Sequence, residues 1–192
     1  MVNTALSILP VRPAVQSGHR ARGAAGGLAA TRYGGAVELV ERTAVLAQLD
    51  GALAEARAGS GAIVLLGGDA GVGKTSVARA FVERGGPALR VLWGSCEPLA
   101  TPEPLGPFHD MAPLRPLLST GLQRVELLRS LLDTLRSTPT TVMVVDDAHW
   151  ADDATLDALR FLGRRIRTTP GVLVVTFRED EARSGSAPRR RR

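Results

Sequence analysis

The stretch AIVLLGGDAGVGKTS, residues 62–76, decides the fold. Its first five residues are apolar, which is typical of a short buried strand. Residues 68–75 then match the spacing G-x-x-x-x-G-K-[ST] in full. The following run TSVARAFVERGG has helical spacing and ends in two glycines. A strand, a glycine-rich loop and a helix in this order predict a cradle for the phosphates of a nucleotide.

The chemistry of a phosphate cradle explains this spacing. Glycines tolerate positive φ and let backbone N–H groups approach phosphate oxygens, and the start of a helix adds its positive dipole end. We expect Lys74 to contact the β and γ phosphates and the Thr75 hydroxyl to bind Mg²⁺. The predicted ATP-binding residues are Gly68, Asp69, Ala70, Gly71, Val72, Gly73, Lys74, Thr75 and Ser76.

Lys74 is the only lysine in a chain with 23 arginines. A composition so biased to arginine favours a lysine only where a compact ammonium group is required. The alternative is a glycine-rich turn that merely joins a strand to a helix.

Composition limits the class of protein. The chain has 192 residues, of which 44% are hydrophobic, so it can bury one core of ordinary size. No apolar run approaches the ~20 residues needed to span a bilayer, which excludes a membrane protein. A single cysteine fits a reducing, cytoplasmic location, and Cys96 is interpreted as a small buried hydrophobe.

The net charge of +5 comes from the two ends of the sequence. All 19 acidic residues lie between 37 and 182, with 15 basic ones. A DNA-binding face would require positive charge on the folded part, so we expect no specific DNA-binding domain here. The run Arg189–Arg192 could still contact polyanions without sequence preference.

Three segments are expected. Residues 1–36 contain no acidic residue and many Ala, Gly and Pro, which predicts a disordered extension; prolines and glycines argue against the amphipathic helix of a transit peptide. Residues 37–182 are expected to form the nucleotide-binding core, and residues 183–192 a disordered arginine-rich tail. Within the core, four prolines from 97 to 107 predict an irregular loop after a short strand at 90–93.

The run TVMVVDDAHW, residues 141–150, predicts a second functional strand. Its apolar residues end in two aspartates, the form of a Walker B strand. Asp146 is the predicted Mg²⁺ ligand, and Asp147 is predicted to orient the attacking water. These acids could instead merely end a strand. His149 fits a structural histidine better than a catalyst.

Arg178 follows a further apolar strand, VLVVTF at 172–177. Ligands of open α/β sheets bind at the carboxyl ends of strands, so Arg178 is a candidate γ-phosphate sensor. Alternatively, it pairs with Asp180 or Glu181. The expected catalytic set is therefore Lys74, Asp147 and Arg178.

Five motifs in order carry a resemblance: VERTAVLAQLDGAL, VLLGGDAGVGKT, VLWGSCEPLATPEPLGPF, VVDDAHWADDATLDALRFL and VVTFRED. Together, over roughly residues 38–181, they resemble the AAA-type ATPase module of STAND signalling proteins, above all that of large LuxR-type and MalT-like bacterial regulators. The resemblance implies a three-layer α/β P-loop fold, a mostly parallel sheet of order 5-1-4-3-2, and a sensor-1 role for Arg178. Glu41-Arg42 departs from the usual Gly-Arg, which weakens any inference of contacts to the base.

The resemblance also implies elements that we expect to be missing, namely strand 5 and the helical lid. Without strand 5, the edge Ile63–Leu66 is expected to be unpaired and to promote self-association. The leading interpretation is a slow, Mg²⁺-dependent switch ATPase with regulatory protein partners. The alternatives are a truncated, non-catalytic remnant that binds nucleotide or proteins, and a P-loop small-molecule kinase.

Overall fold

The computed structural model describes residues 7–10, 34–119 and 124–179. In these ranges five strands form one sheet: β1 (Ser7–Pro10), β2 (Ala62–Gly67), β3 (Arg90–Ser95), β4 (Thr141–Asp146) and β5 (Val172–Thr176). The α-helices are α1 (Gly34–Arg57), α2 (Lys74–Gly85), α3 (Gly106–Asp110), α4 (Arg115–Ser119), α5 (Arg124–Arg136) and α6 (Asp153–Gly163). Short 3₁₀ turns lie at Ala112–Leu114, Ala148–Trp150 and Ile166–Thr168.

The sheet has the strand order β1-β2-β5-β4-β3. Strands β2, β5, β4 and β3 are parallel neighbours in this order. Val174 of β5 lies opposite Val64 of β2 on one side and opposite Val144 of β4 on the other. The predicted α/β fold with a parallel sheet is therefore confirmed, and so is the order of its four parallel strands. This order brings the carboxyl ends of β2, β5 and β4 to the same edge of the sheet.

Helices cover both faces of the sheet, as the alternation of side chains in the strands requires. In β4, Val142 and Val144 point to the α1 and α2 side, whereas Met143 and Val145 point to the α3, α5 and α6 side. Because β4 and β5 are buried on both faces, their sequences are nearly continuous apolar runs and do not alternate between apolar and polar residues. The result is a three-layer architecture with two hydrophobic cores.

Two helical segments differ from the sequence expectation. The helical spacing of Leu156, Leu159, Leu162 and Ile166 predicts a helix that starts after Asp152 and stops at Pro170. The observed helix α6 ends at Gly163, and a 3₁₀ turn follows it. The proline-rich loop ends in α3, because Pro107 lies in the first turn, where a missing N–H costs nothing. Within residues 34–119 and 124–179, no helix is long and apolar enough to cross a bilayer.

The edge of the sheet beside β2 is where the sequence prediction was wrong. Strand β1 pairs antiparallel with β2, with Ile8 opposite Leu66 and Leu9 opposite Leu65, so the edge that we expected to be unpaired is covered. The average composition of residues 1–36 predicts disorder, and it therefore gave no indication of a short segment that can form a strand. Pro10 is tolerated at its end because an edge strand can dispense with one N–H donor. Of the predicted extension 1–36, the structure describes residues 7–10 and the start of α1 at 34–36. Its other residues and all of 183–192 lie outside the described residues.

Removing β1 is expected to expose the edge of β2. Deleting residues 1–10 should lower the free energy of unfolding by about 1–3 kcal/mol, since each lost backbone hydrogen bond contributes about 1 kcal/mol. It should also promote self-association, because an apolar strand edge is then open. Thermal melting and light scattering would measure the two effects. Deleting only residues 1–5 is the matched control, and equal behaviour of the two deletions would contradict the protective role of β1.

Candidate functional site

The loop between β2 and α2 has the backbone that the glycine spacing predicts. Gly68, Gly71 and Gly73 have φ values of 150°, 77° and 92°, all in the region that favours glycine. α2 begins at Lys74 with no side-chain cap on its first turn, so the amides at its start remain available to an anion. The other predicted loop residues, Asp69, Ala70 and Val72, lie between the glycines, and Thr75 and Ser76 lie in the first turn of α2.

Lys74 lies across this loop rather than in solvent. Its Nζ donates to the carbonyl oxygens of Gly68 at 2.9 Å and Asp69 at 2.8 Å, and only 6% of the residue is exposed. A buried ammonium group requires such partners, because burying a charge without them is costly. The lysine therefore brings a positive charge to the inside of the loop.

Arg42 adds a second positive charge to the loop from α1. Its Nη2 lies 3.5 Å from the carbonyl oxygen of Val72, and a Cβ at Gly73 would lie 3.0 Å from the same nitrogen. Gly73 thus serves both the positive φ and this close approach. Sequence reasoning considered Arg42 only by resemblance, and the contact depends on how α1 packs against α2.

Asp146 is the buried centre of the site. Its Oδ1 accepts hydrogen bonds from Thr75 Oγ1 at 3.2 Å and from Thr176 Oγ1 at 2.5 Å, and 5% of the residue is exposed. One carboxylate oxygen therefore joins the end of β4 to the start of α2 and to the end of β5. The structure therefore brings together Thr75 and Asp146, the two residues predicted to bind Mg²⁺.

Asp147 differs from its neighbour in both backbone and exposure. Its φ of 54° is uncommon for a residue other than glycine, its N–H donates to Thr176 Oγ1 at 2.8 Å, and its side chain is 44% exposed. The turn directs the Asp147 carboxylate away from the buried position of Asp146.

His149 is nearly enclosed, with 4% of its side chain exposed, and its Nδ1 lies 3.8 Å from Asp147 Oδ1. The histidine ring lies 5.2 Å from the ring of Trp150, between centroids.

Arg178 is held close to the beginning of the loop. The N–H of Phe177 donates to the carbonyl oxygen of Leu66 at 3.1 Å, and a Cβ at Gly67 would lie 2.7 Å from Glu179 Oε1. The segment after β5 therefore folds against the end of β2. The alternative partners of Arg178, Asp180 and Glu181, lie outside the described residues.

Thr176 is the site residue that sequence reasoning missed. It was read as part of an apolar strand, yet its hydroxyl donates to Asp146 and accepts from the N–H of Asp147. The available signal was a polar residue near the end of an otherwise apolar, fully buried strand. A hydroxyl in that position needs partners, and the aspartates on the neighbouring strand supply them.

The donor set fits Mg²⁺. The ion binds oxygen at about 2.0–2.1 Å with octahedral geometry, which puts neighbouring ligands about 3 Å apart. Thr75 Oγ1 and Asp146 Oδ1 are 3.2 Å apart, so they can serve as neighbouring ligands with little movement. Within the described ranges, no group of three or more His, Cys, Asp or Glu side chains could hold a metal ion.

The fold and this loop define a P-loop nucleotide-binding protein of the α/β class, in which the phosphate loop and the Asp146 strand end meet at one edge of a parallel sheet. Residues 38–175 match the AAA ATPase domain family, and the chain belongs to that family. Members of this class bind nucleotides. No curated protein sequence matches the chain.

Thr176→Val tests the link between Asp146 and Asp147. We expect a loss of about 1–3 kcal/mol in the free energy of unfolding, because a buried carboxylate loses a donor and a buried N–H loses its acceptor. Mg²⁺-dependent ATP affinity should also fall. The matched control is Thr169→Val, which removes a fully buried hydroxyl bound to the carbonyl of Ile166, away from Asp146. Denaturant melts and calorimetry would compare them, and equal ATP affinity in both variants would contradict this role of Thr176.

Proposed function

We propose that the chain is a Mg²⁺-dependent ATPase module that works as a switch, with slow hydrolysis of ATP. The observation that carries this proposal is the 3.2 Å contact between Thr75 Oγ1 and Asp146 Oδ1, which joins a complete phosphate loop to a Walker B carboxylate. A glycine-rich turn that only joined a strand to a helix would have no reason to meet a buried carboxylate. Neither would acids that only end a strand.

ATP binding follows from the loop. Lys74 can exchange its two carbonyl contacts for phosphate oxygens, since both sites lie within reach of one mobile side chain. The amides at the start of α2 and the Arg42 guanidinium add to the positive potential there. Thr75 and Asp146 would hold Mg²⁺, which when bound neutralises charge on the phosphate oxygens.

Hydrolysis is assigned to Asp147 because its environment differs from that of Asp146. The half-exposed carboxylate of Asp147 is open to water, whereas Asp146 is buried and committed to two hydroxyls. A carboxylate that does not bind the metal can accept a proton from the attacking water. Arg178, held beside the loop, is assigned the sensor role on the γ-phosphate.

The wider role proposed here rests on the five motifs in their order. We propose a cytoplasmic module of a signalling or transcription-regulating protein of the LuxR-type, STAND class, with self-association or regulatory proteins as partners. A gene whose reading frame also encodes helical repeats and a helix-turn-helix would support this class. A frame encoding a different kind of enzyme would contradict it.

Lys74→Ala is expected to weaken ATP binding by about tenfold or more, because a charge-assisted contact to phosphate is worth about 1.5–3 kcal/mol. Calorimetry with Mg²⁺ and ATP would measure the affinity, and circular dichroism would check the fold. The matched control is Arg79→Ala, which removes a positive charge from the same helix at a side chain that lies over the Trp93 ring. Equal affinity in both variants would reject the phosphate-loop assignment.

Asp147→Asn is expected to leave ATP affinity within about threefold and to lower turnover by about a hundredfold, because the amide cannot accept the proton from water. Phosphate release under saturating ATP would measure turnover. Asp153→Asn, which changes an exposed carboxyl in the first turn of α6, is the control. ATP binding without turnover in the unaltered chain would favour the non-catalytic alternative. Phosphate transfer to small metabolites would favour the kinase.

A further inference from the structure

The 3₁₀ turn Ala148–Trp150 directly follows the two site aspartates, and its two ring side chains lie in different surroundings. Trp150 is 38% exposed and lines a surface pocket, whereas only 4% of the His149 side chain is exposed. A polar ring that is almost fully withdrawn from solvent therefore lies next to Asp147, the carboxylate to which water activation is assigned.

The backbone of Asp147 is fixed on both sides. Its N–H donates to Thr176 Oγ1 at 2.8 Å, and its carbonyl oxygen accepts from the N–H of Trp150 at 2.9 Å. The positive φ of 54° is a conformation that aspartate adopts more readily than most residues. The end of β4 and the turn therefore set the place of the Asp147 Cα before any ligand binds.

The side chain of Asp147 needs a further restraint. It is 44% exposed, and a carboxylate in solvent can rotate among three staggered positions about its Cα–Cβ bond. These positions point the carboxylate in different directions, and a general base acts only within hydrogen-bond reach of the proton that it accepts. The backbone contacts alone do not decide which position is occupied.

His149 supplies a fixed partner for this carboxylate. Its Nδ1 lies 3.8 Å from Asp147 Oδ1, and its ring lies 5.2 Å from the Trp150 ring between centroids, at an interplanar angle of 46°. Because the imidazole is enclosed and the carboxylate is half-exposed, the histidine restrains the aspartate rather than the reverse. An imidazole N–H attracts a carboxylate oxygen as a hydrogen-bond donor.

The distance between the two groups fits a pair that shortens when substrate binds. At 3.8 Å, the contact is longer than a hydrogen bond. Catalytic hydrogen bonds are often long without substrate and become shorter in the complex. The contact engages Oδ1 of Asp147, so Oδ2 can accept the proton of the attacking water while Oδ1 faces the ring.

We propose that His149 is a positioning residue, which holds the Asp147 carboxylate in the rotamer that activates water. His149 does this without contacting ATP, Mg²⁺ or the water itself. The inference rests on the proposed ATPase function and adds the residue that orients its general base. It also gives the enclosed ring a task in the reaction, where the sequence favoured a structural histidine.

The size of the effect follows from the number of rotamers. If three positions were equally populated, the carboxylate would be in the productive one about a third of the time, which is a loss of about threefold. Freedom about the next bond adds to this, so we expect about three- to tenfold in turnover. The loss is smaller than that expected for Asp147→Asn, because the carboxylate itself remains.

The first test separates turnover from binding. His149→Leu keeps an enclosed side chain and should lower turnover at saturating ATP by about three- to tenfold, with ATP affinity within about twofold. His149→Asn should restore turnover, because its amide nitrogen takes the place of Nδ1. His149→Gln should not restore it, because its amide nitrogen reaches the place of Nε2. A histidine that only supported the fold would not distinguish these two amides in turnover alone.

His109→Leu is the matched control. It removes a second histidine that lies near a carboxylate, with Nε2 3.9 Å from Glu103 Oε1, in the wall of the surface pocket. Turnover should be unchanged in this variant. An equal loss in the two leucine variants would overturn the specific role of His149.

A double substitution tests whether His149 acts through Asp147. In an Asp147→Asn background, His149→Leu should cause no further loss of turnover, because there is no carboxylate left to orient. Single-turnover measurements would detect the low rates. A further loss of about three- to tenfold in that background would mean that His149 acts by another route, and would overturn the proposal.

The rotamer itself can be measured without nucleotide. Three-bond NMR couplings of Asp147 should report one χ1 position in the unaltered chain and in His149→Asn, and averaging over several positions in His149→Leu. Couplings that do not respond to His149→Leu would overturn the proposal, and so would couplings that respond while turnover does not. Couplings that respond in a chain without any turnover would confirm the contact and reject the proposed ATPase, so the two failures are distinguishable.

Discussion

One buried carboxylate oxygen, Oδ1 of Asp146, is the interaction on which the site depends. It accepts from Thr75 at the start of α2 and from Thr176 at the end of β5, so it joins three elements that are distant in sequence. A buried carboxylate without donors would be strongly unfavourable, and the cost of losing them keeps the phosphate loop and the β4 strand end together. The same contact leaves the neighbouring Asp147 outside the buried network, open to solvent, with its backbone N–H held by Thr176. The difference between the two aspartates thus comes from the protein's packing rather than from their chemistry.

The order of the strands makes this contact possible. Because β5 lies between β2 and β4, the hydroxyl at its end stands between the phosphate loop and the Walker B strand. All of these strands are parallel, so their carboxyl ends share one edge. Apart from Arg42 on α1, every residue assigned to the site lies at or just after the end of a strand, or in the first turn of the helix that follows. Strand β1 runs the other way and covers the far side of β2. It protects the strand that carries the loop without placing a residue at the site.

The sequence predicted those features that depend on residues close together in the chain. The glycine spacing of 68–73 specifies the loop, since the positive φ values arise within a few residues, and the apolar runs specify the four parallel strands. Features that depend on contacts between residues far apart in the sequence were either missed or considered only by resemblance. Thr176 meets Asp146 across 30 positions, and Arg42 meets Val72 across 30. Strand β1 lies more than 50 residues before its partner, in a region whose average composition opposes order. Such pairings are decided by packing of the whole molecule, which local patterns do not contain.

The two sides of the carboxyl edge carry opposite charge. Lys74, Arg42 and the start of α2 make the phosphate loop positive, which favours an anionic triphosphate. On the other side, a pocket next to the turn that follows Asp147 is lined by four carboxylates, those of Glu97, Glu103, Asp110 and Asp152. Close placement of the two regions has a consequence for the anion: uncompensated carboxylates near a triphosphate oppose its binding, more so at low ionic strength.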